Sequence, residues 1–79
     1  MDWRKHIDQR PDVMLGKPVI RGTRITVELI LEDLAEGASE KDILEAYPHI
    51  KPEHIRAACA YAAASLGSEL MIFQDVATG

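Results

Sequence analysis

A single cysteine, Cys59, means that no disulfide can form within the chain. Aromatic side chains are scarce, with only Trp3, Tyr47, Tyr61 and Phe73, so a core must be built from aliphatic residues. No apolar run approaches the roughly 20 residues that a membrane-spanning helix needs. No secretory leader is expected from the opening residues, and a reducing cytoplasm is the expected compartment. No Cys–His or Ser–His–Asp set stands at a catalytic spacing. His49 and His54 have no cysteine partner with which to complete a four-ligand metal site, and nothing calls for a cofactor. No internal repeat or low-complexity stretch is present. With 79 residues there is room for one domain. A core that small is marginal, so self-association or a partner would stabilise it.

The net charge of −4 conceals an asymmetry. Residues 1–24 hold six cations against three carboxylates, a net +3. Residues 25–79 hold three cations against ten carboxylates, a net −7. A basic end on an acidic body can orient a partner at long range.

The chain is organised around Gly16-Lys-Pro-Val-Ile-Arg-Gly-Thr-Arg-Ile-Thr-Val27. Pro18 fixes its own φ and offers no N–H. Gly22 permits a backbone conformation that larger residues resist. The order Val-Ile, Arg-Gly-Thr-Arg, Ile-Thr-Val predicts a small β-hairpin or hooked arm. Lys17, Arg21 and Arg24 stand at its start, turn and exit, making a basic lip. Ahead of it, Trp3 and Ile7 belong to an arm expected to dock on the body or on a second copy. Val13, Met14 and Leu15 form a short apolar run that Gly16 stops.

Helical periodicity begins at once. Thr26 is an N-cap. Val27, Ile30, Leu31 and Leu34 share one helix face, and Gly37 is the expected C′ residue. A second helix opens at Ser39, where Asp42 completes a weakened capping box; Ile43, Leu44 and Tyr47 are its apolar side, and Pro48 ends it. A third opens with Pro52 at N1 and carries Ile55, Ala58, Cys59, Ala62 and Leu66 at helical spacing, with Gly67 as its stop. Ala57, Ala60, Ala63 and Ala64 are expected on smooth outer faces, open to another helix. The prediction is a mainly α, three-helix, helix-turn-helix bundle with an N-terminal β-arm over residues 1–66. Residues 67–79 form a partner-binding tail.

The run from Pro11 through Val27, with Leu34-Ala-Glu-Gly-Ala-Ser39, Ile43-Leu-Glu-Ala-Tyr-Pro48 and Ile55-Arg-Ala-Ala-Cys-Ala-Tyr-Ala62, resembles the signature of the domain of unknown function 433 family. The resemblance covers roughly residues 7–63. It implies a homeodomain-like fold and a likeness to VapB-type antitoxins, which are encoded beside a PIN-like ribonuclease toxin. It further implies a binding protein, not an enzyme, that neutralises a nuclease and represses its own operon.

Chemistry selects the candidate site residues. Guanidinium groups on a tight turn suit bidentate contacts to phosphate or carboxylate, which singles out Lys17, Arg21 and Arg24. The plainer expectation is that Arg21 or Arg24 pairs with Glu28 or Glu32 and shapes the turn. Lys51 and Arg56 are the cations of the third helix able to meet phosphates. That helix otherwise lacks the Arg, Lys, Asn and Gln that read base edges. A homodimer presenting two basic arms is therefore the more plausible operator-DNA reader. Cys59 is expected as an inert core thiol, and His6 as a surface residue. Leu70, Met71, Ile72 and Phe73 would anchor a toxin or a second copy. VapB-like tails often carry an arginine for the toxin, yet residues 67–79 contain no Lys or Arg, so Arg21 and Arg24 would have to supply that charge, or inhibition would be steric. Two further functions fit the same residues: a DNA-binding regulator without a toxin, and an assembly subunit that oligomerises through its tail.

Overall fold

A computed structural model of the chain describes the backbone of residues 1–78 and the side chains of residues 1–67. Three helices and a two-stranded antiparallel sheet make up the fold: β1 (Ile7–Asp8), β2 (Val19–Ile20), α1 (Val27–Ala35), α2 (Glu40–Ala46) and α3 (Pro52–Thr78). In the sheet Ile7 stands opposite Ile20 and Asp8 opposite Val19.

The strand partner of Val19–Ile20 is therefore the N-terminal arm. The segment Ile25–Val27 closes a hook rather than a second strand. It contributes an isolated bridge between Val19 and Thr26, with the Ile20 N–H donating to the Ile25 carbonyl at 2.9 Å and the Val27 N–H to the Pro18 carbonyl at 2.9 Å. The hook is short because Thr26 is claimed by the helix: its hydroxyl accepts the Leu29 N–H at 3.0 Å, capping α1.

α1 ends as the sequence predicts. Gly37 sits at φ +97°, and the Gly37 and Ala38 N–H groups return to the Leu34 and Asp33 carbonyls. That is a Schellman closure, which favours glycine at the left-handed position. At α2 the full capping box forms, with Ser39 and Asp42 exchanging N–H bonds at 3.1 and 2.9 Å. Those bonds hold the Asp42 carboxyl below its ordinary range. Tyr47, just past α2, reaches the Asp33 carboxylate of α1 at 3.3 Å. Burial, with the Asp33 charge, raises its phenol above the ordinary value.

The core is one cluster: Ile7, Ile20, Val27, Ile30, Ile43, Ile50, Ile55, Ala57 and Ala58. Ile20 and Ile30 are wholly buried. Isoleucine dominates because so few aromatics are available, and each fully buried aliphatic side chain contributes about 1.5–3 kcal/mol relative to exposure. Ala57, expected on an outer face, is wholly buried with Ala58. α3 lies close enough to the other elements that only methyl groups fit there. Trp3 and Ile7 do dock on the body. Ile7 enters the core, and Trp3 meets Tyr61 of α3 edge-on with ring centroids 5.0 Å apart.

α3 runs through Gly67 to Thr78. The stop expected at Gly67 is absent, and no break in the helix separates body from tail. Gly67 has a helical, not left-handed, backbone and no following proline, so nothing local terminates the helix.

Candidate functional site

The basic lip is largely consumed by the fold. Arg21 donates from Nε to Asp8 Oδ1 at 2.9 Å and from Nη2 to the Arg4 carbonyl at 2.9 Å. It thereby clamps the turn after β2 onto β1. Lys17 donates to Glu28 Oε2 at 3.2 Å, pinning the lip's entry to the first turn of α1. So the lip does pair with the chain's own acids, but Arg21 takes Asp8 from the N-terminal arm, a partner that no local spacing indicates.

Arg24 makes no ion pair among the described residues. With Arg10, Val13, Gly22 and Thr23 it lines a recess of about 430 Å³. Arg10 is a cation that the sequence alone did not single out. Its signal was the turn-forming Pro11-Asp12 pair directly after it, which swings the chain back beside the lip.

Lys51 and Arg56 are exposed near the start of α3 and do not line the Arg10–Arg24 recess. The Lys51 backbone, rather than its ammonium, has the defined role: its N–H donates to His54 Nδ1 at 3.0 Å. His54 stands 5.5 Å from His6, ring centroid to centroid, so His6 is half-buried against α3 rather than free on the surface. Burial first, then the neighbouring His6, lowers the His54 imidazole from its ordinary 6.5, with Glu53 partly opposing. Among the described residues no group of three or more His, Cys, Asp or Glu side chains is placed to hold a metal ion.

Cys59 is exposed, not an inert core thiol. The buried face of α3 turns on Ile55, Ala57 and Ala58, which leaves Cys59 one step off it. Leu66 is half exposed. The side chains of Leu70, Met71, Ile72 and Phe73 lie outside the described residues. Among the described residues no helix is long and apolar enough to cross a membrane.

Two apolar recesses flank the exposed ridge of α1. One runs between α1 and α3 over Val27, Leu31, Ala35, Tyr61 and Ala62. The other lies on the lip side against Met14, Leu15 and Leu29. Glu28 and Glu32 border both.

The family model described as "Protein of unknown function (DUF433)" matches residues 7–62. The chain belongs to the DUF433 family. A DUF433 member protein from Anabaena variabilis ATCC 29413, known from its crystal structure, is similar with a TM-score of 0.70 and 31% identity, over 90% of this chain and 67% of that one. The uncharacterized protein y4eO of Sinorhizobium fredii (strain NBRC 101917 / NGR234) is 38% identical over 77 residues. The match takes in 96% of this chain and spans about a third of y4eO, 35% of its length. The DUF433 match begins at Ile7 and ends at Ala62. It therefore takes in both strands, the lip and the whole buried cluster, but not the outer part of α3.

Proposed function

We propose that this DUF433 protein is an antitoxin-like binding module: a cytoplasmic, homodimeric protein that neutralises a PIN-like ribonuclease toxin and binds its own operator DNA as a second activity. On this reading α1, α2 and α3 form a homeodomain-like bundle, and α2 with α3 is its helix-turn-helix pair. What carries the proposal is the reach of α3. Among the described residues the buried core ends at Ala58, while the helix continues to Thr78. From Ala58 to Gly67 alone that is roughly 13 Å of helix beyond the last buried residue among those described, at 1.5 Å per residue. Half-exposed Leu66 lies on this projecting part. A helix reaching so far past its own core is marginal in water without a surface to cover it, and helix-in-groove docking on a protein supplies one.

The DNA activity is the weaker half, because Lys17 and Arg21 are tied up internally and few phosphate-binding cations remain. Co-purification of the full chain with a PIN-like ribonuclease encoded beside it, together with an RNA-cleavage assay, tests the reading. The full chain should form a stoichiometric complex and suppress cleavage, and a 1–67 truncation should do neither. Unchanged cleavage at excess full chain would overturn the antitoxin role. Self-association through α3 with no nuclease bound would instead make the protein an assembly subunit.

A further inference from the structure

Three of the chain's cations are engaged by its own carboxylates: Arg4 by Asp2, Lys17 by Glu28 and Arg21 by Asp8. Arg10 and Arg24 are not among them, and both residues line the same recess. Its other walls are Val13, Gly22 and Thr23, with no carboxylate. The two apolar recesses beside α1 both include Glu28 and Glu32, and Arg24 also borders the lip-side one. In a protein of net charge −4, a recess lined by two arginines and no acid is a local reversal of charge.

The recess is also built on fixed turns. The Arg10 side is closed by the Val13 N–H donating to the Arg10 carbonyl at 3.1 Å. On the Arg24 side, Thr23 donates to the Ile20 carbonyl from both N–H and Oγ1, at 3.0 and 2.7 Å, and Oγ1 accepts the Ile25 N–H at 3.0 Å. Each turn comes after a strand whose isoleucine, Ile7 or Ile20, is buried in the core. Gly22 has φ +79°, and a Cβ there would meet nothing within 4 Å. Glycine is required by the backbone angle, and the space beside it stays open. Among the described residues the Gly22 and Arg24 N–H groups have no acceptor.

We infer that the Arg10–Arg24 recess is a phosphate-binding site. A carboxylate needs only one guanidinium fork, as Asp8 shows with Arg21. Two forks and free backbone N–H donors offer more hydrogen bonds than one planar carboxylate can accept, and a tetrahedral phosphate suits them. The phosphate comes from a nucleic-acid backbone or from a free phosphate or phosphorylated small molecule. The site is independent of the nuclease reading, because it lies on the strand-bearing turns and not on the outer part of α3.

The test is a ¹⁵N–¹H NMR titration of the full chain with inorganic phosphate, and separately with a short DNA duplex, at several salt concentrations. The Gly22, Thr23 and Arg24 amides should move with phosphate. In R10Q and R24Q the apparent Kd should rise about tenfold or more, the loss of one charge-assisted contact, while K41Q on α2 leaves it unchanged. Dispersed spectra of each variant establish that the fold is intact. A duplex that moves the same amides, with a salt slope that falls by about 0.9 per arginine removed, assigns the nucleic-acid source. A response to phosphate alone assigns the small-molecule source. No movement with either ligand overturns the proposal, as does equal weakening in K41Q or equal competition by acetate. Because a 1–67 truncation removes nuclease capture but not this recess, either idea can fail without the other.

Discussion

Arg21 and Asp8 form a clamp of 2.9 Å between the turn after β2 and the strand β1. The second Arg21 bond, to the Arg4 carbonyl at 2.9 Å, extends the clamp along the arm. Asp8 is the more sheltered partner, its side chain about a quarter exposed and that of Arg21 about half. Solvent screening keeps such a pair modest. R21A should lower stability by about 1 kcal/mol, the scale of one such hydrogen-bonded pair. A double-mutant cycle with D8N, read by urea unfolding, should show positive coupling. R21A should also leave the phosphate response of Gly22 and Arg24 within about threefold, since the guanidinium faces the arm; a loss as large as that of R24Q would return Arg21 to the binding surface.

The His54–Lys51 contact predicts a pH dependence. Neutral His54 accepts the Lys51 N–H through Nδ1, closing the start of α3 where Lys51 has no capping side chain of its own. Protonation would turn that acceptor into a donor. Burial and His6 already lower the folded-state value below 6.5. The unfolded chain therefore takes up the proton first as pH falls. Stability from this group is complete above about pH 6.5 and is lost as the pH falls through the lower folded value. Urea midpoints measured from pH 7.5 to 5 should decline for the wild type and decline less for H54Q, whose amide oxygen still accepts the N–H. Equal slopes in the two proteins would remove His54 from the account.

Much of this architecture is legible in the sequence because its signals are local. Thr26, Ser39, Gly37 and Pro52 each act within a turn of their own position, and all four mark helix ends as their chemistry predicts. The docking of Trp3 and Ile7 is legible from apolar residues in a charged arm. Three features are not. The pairing of β2 with β1, and of Arg21 with Asp8, joins residues more than ten positions apart, and periodicity carries no record of such contacts. The buried face of α3 is centred on Ile55 and Ala58 rather than on the stripe through Cys59. With alanine nearly everywhere from Ala57 to Ala64, the apolar pattern leaves the rotation of that helix under-determined. For Arg10 the adjacent Pro11-Asp12 pair marks a turn but not its destination, because its place beside Arg24 depends on the fold of two separate turns.

Ile20 joins lip and core, since its side chain is wholly buried while its N–H and carbonyl brace the Arg21–Thr23 turn. I20V should lose about 0.5–1.5 kcal/mol and I20A about 2–5 kcal/mol. For a domain this small the second value takes most of the available stability. The urea midpoint is the readout. I20V should also broaden or shift the Gly22 and Thr23 amide signals, which would not move if lip and core were uncoupled.

Met14, Leu15 and Gly16 occupy three consecutive left-handed positions, at φ +49°, +59° and +82°. Leu15 is 95% exposed, so no burial within the chain offsets the steric penalty of about 1–2 kcal/mol that a side chain meets there. Glycine would relieve that penalty and lose about 0.5–1 kcal/mol through the freedom of the unfolded chain. L15G should therefore raise stability by up to about 1 kcal/mol. G16A supplies the opposite sign. A Cβ at Gly16 would meet only the Pro11 Cα, at 3.9 Å, so its penalty comes from the backbone angle and should be about 1 kcal/mol. Paired urea curves for the two variants check both signs. If L15G lowered the midpoint instead, Leu15 would be making a stabilising contact between copies, and the loss would grow with protein concentration.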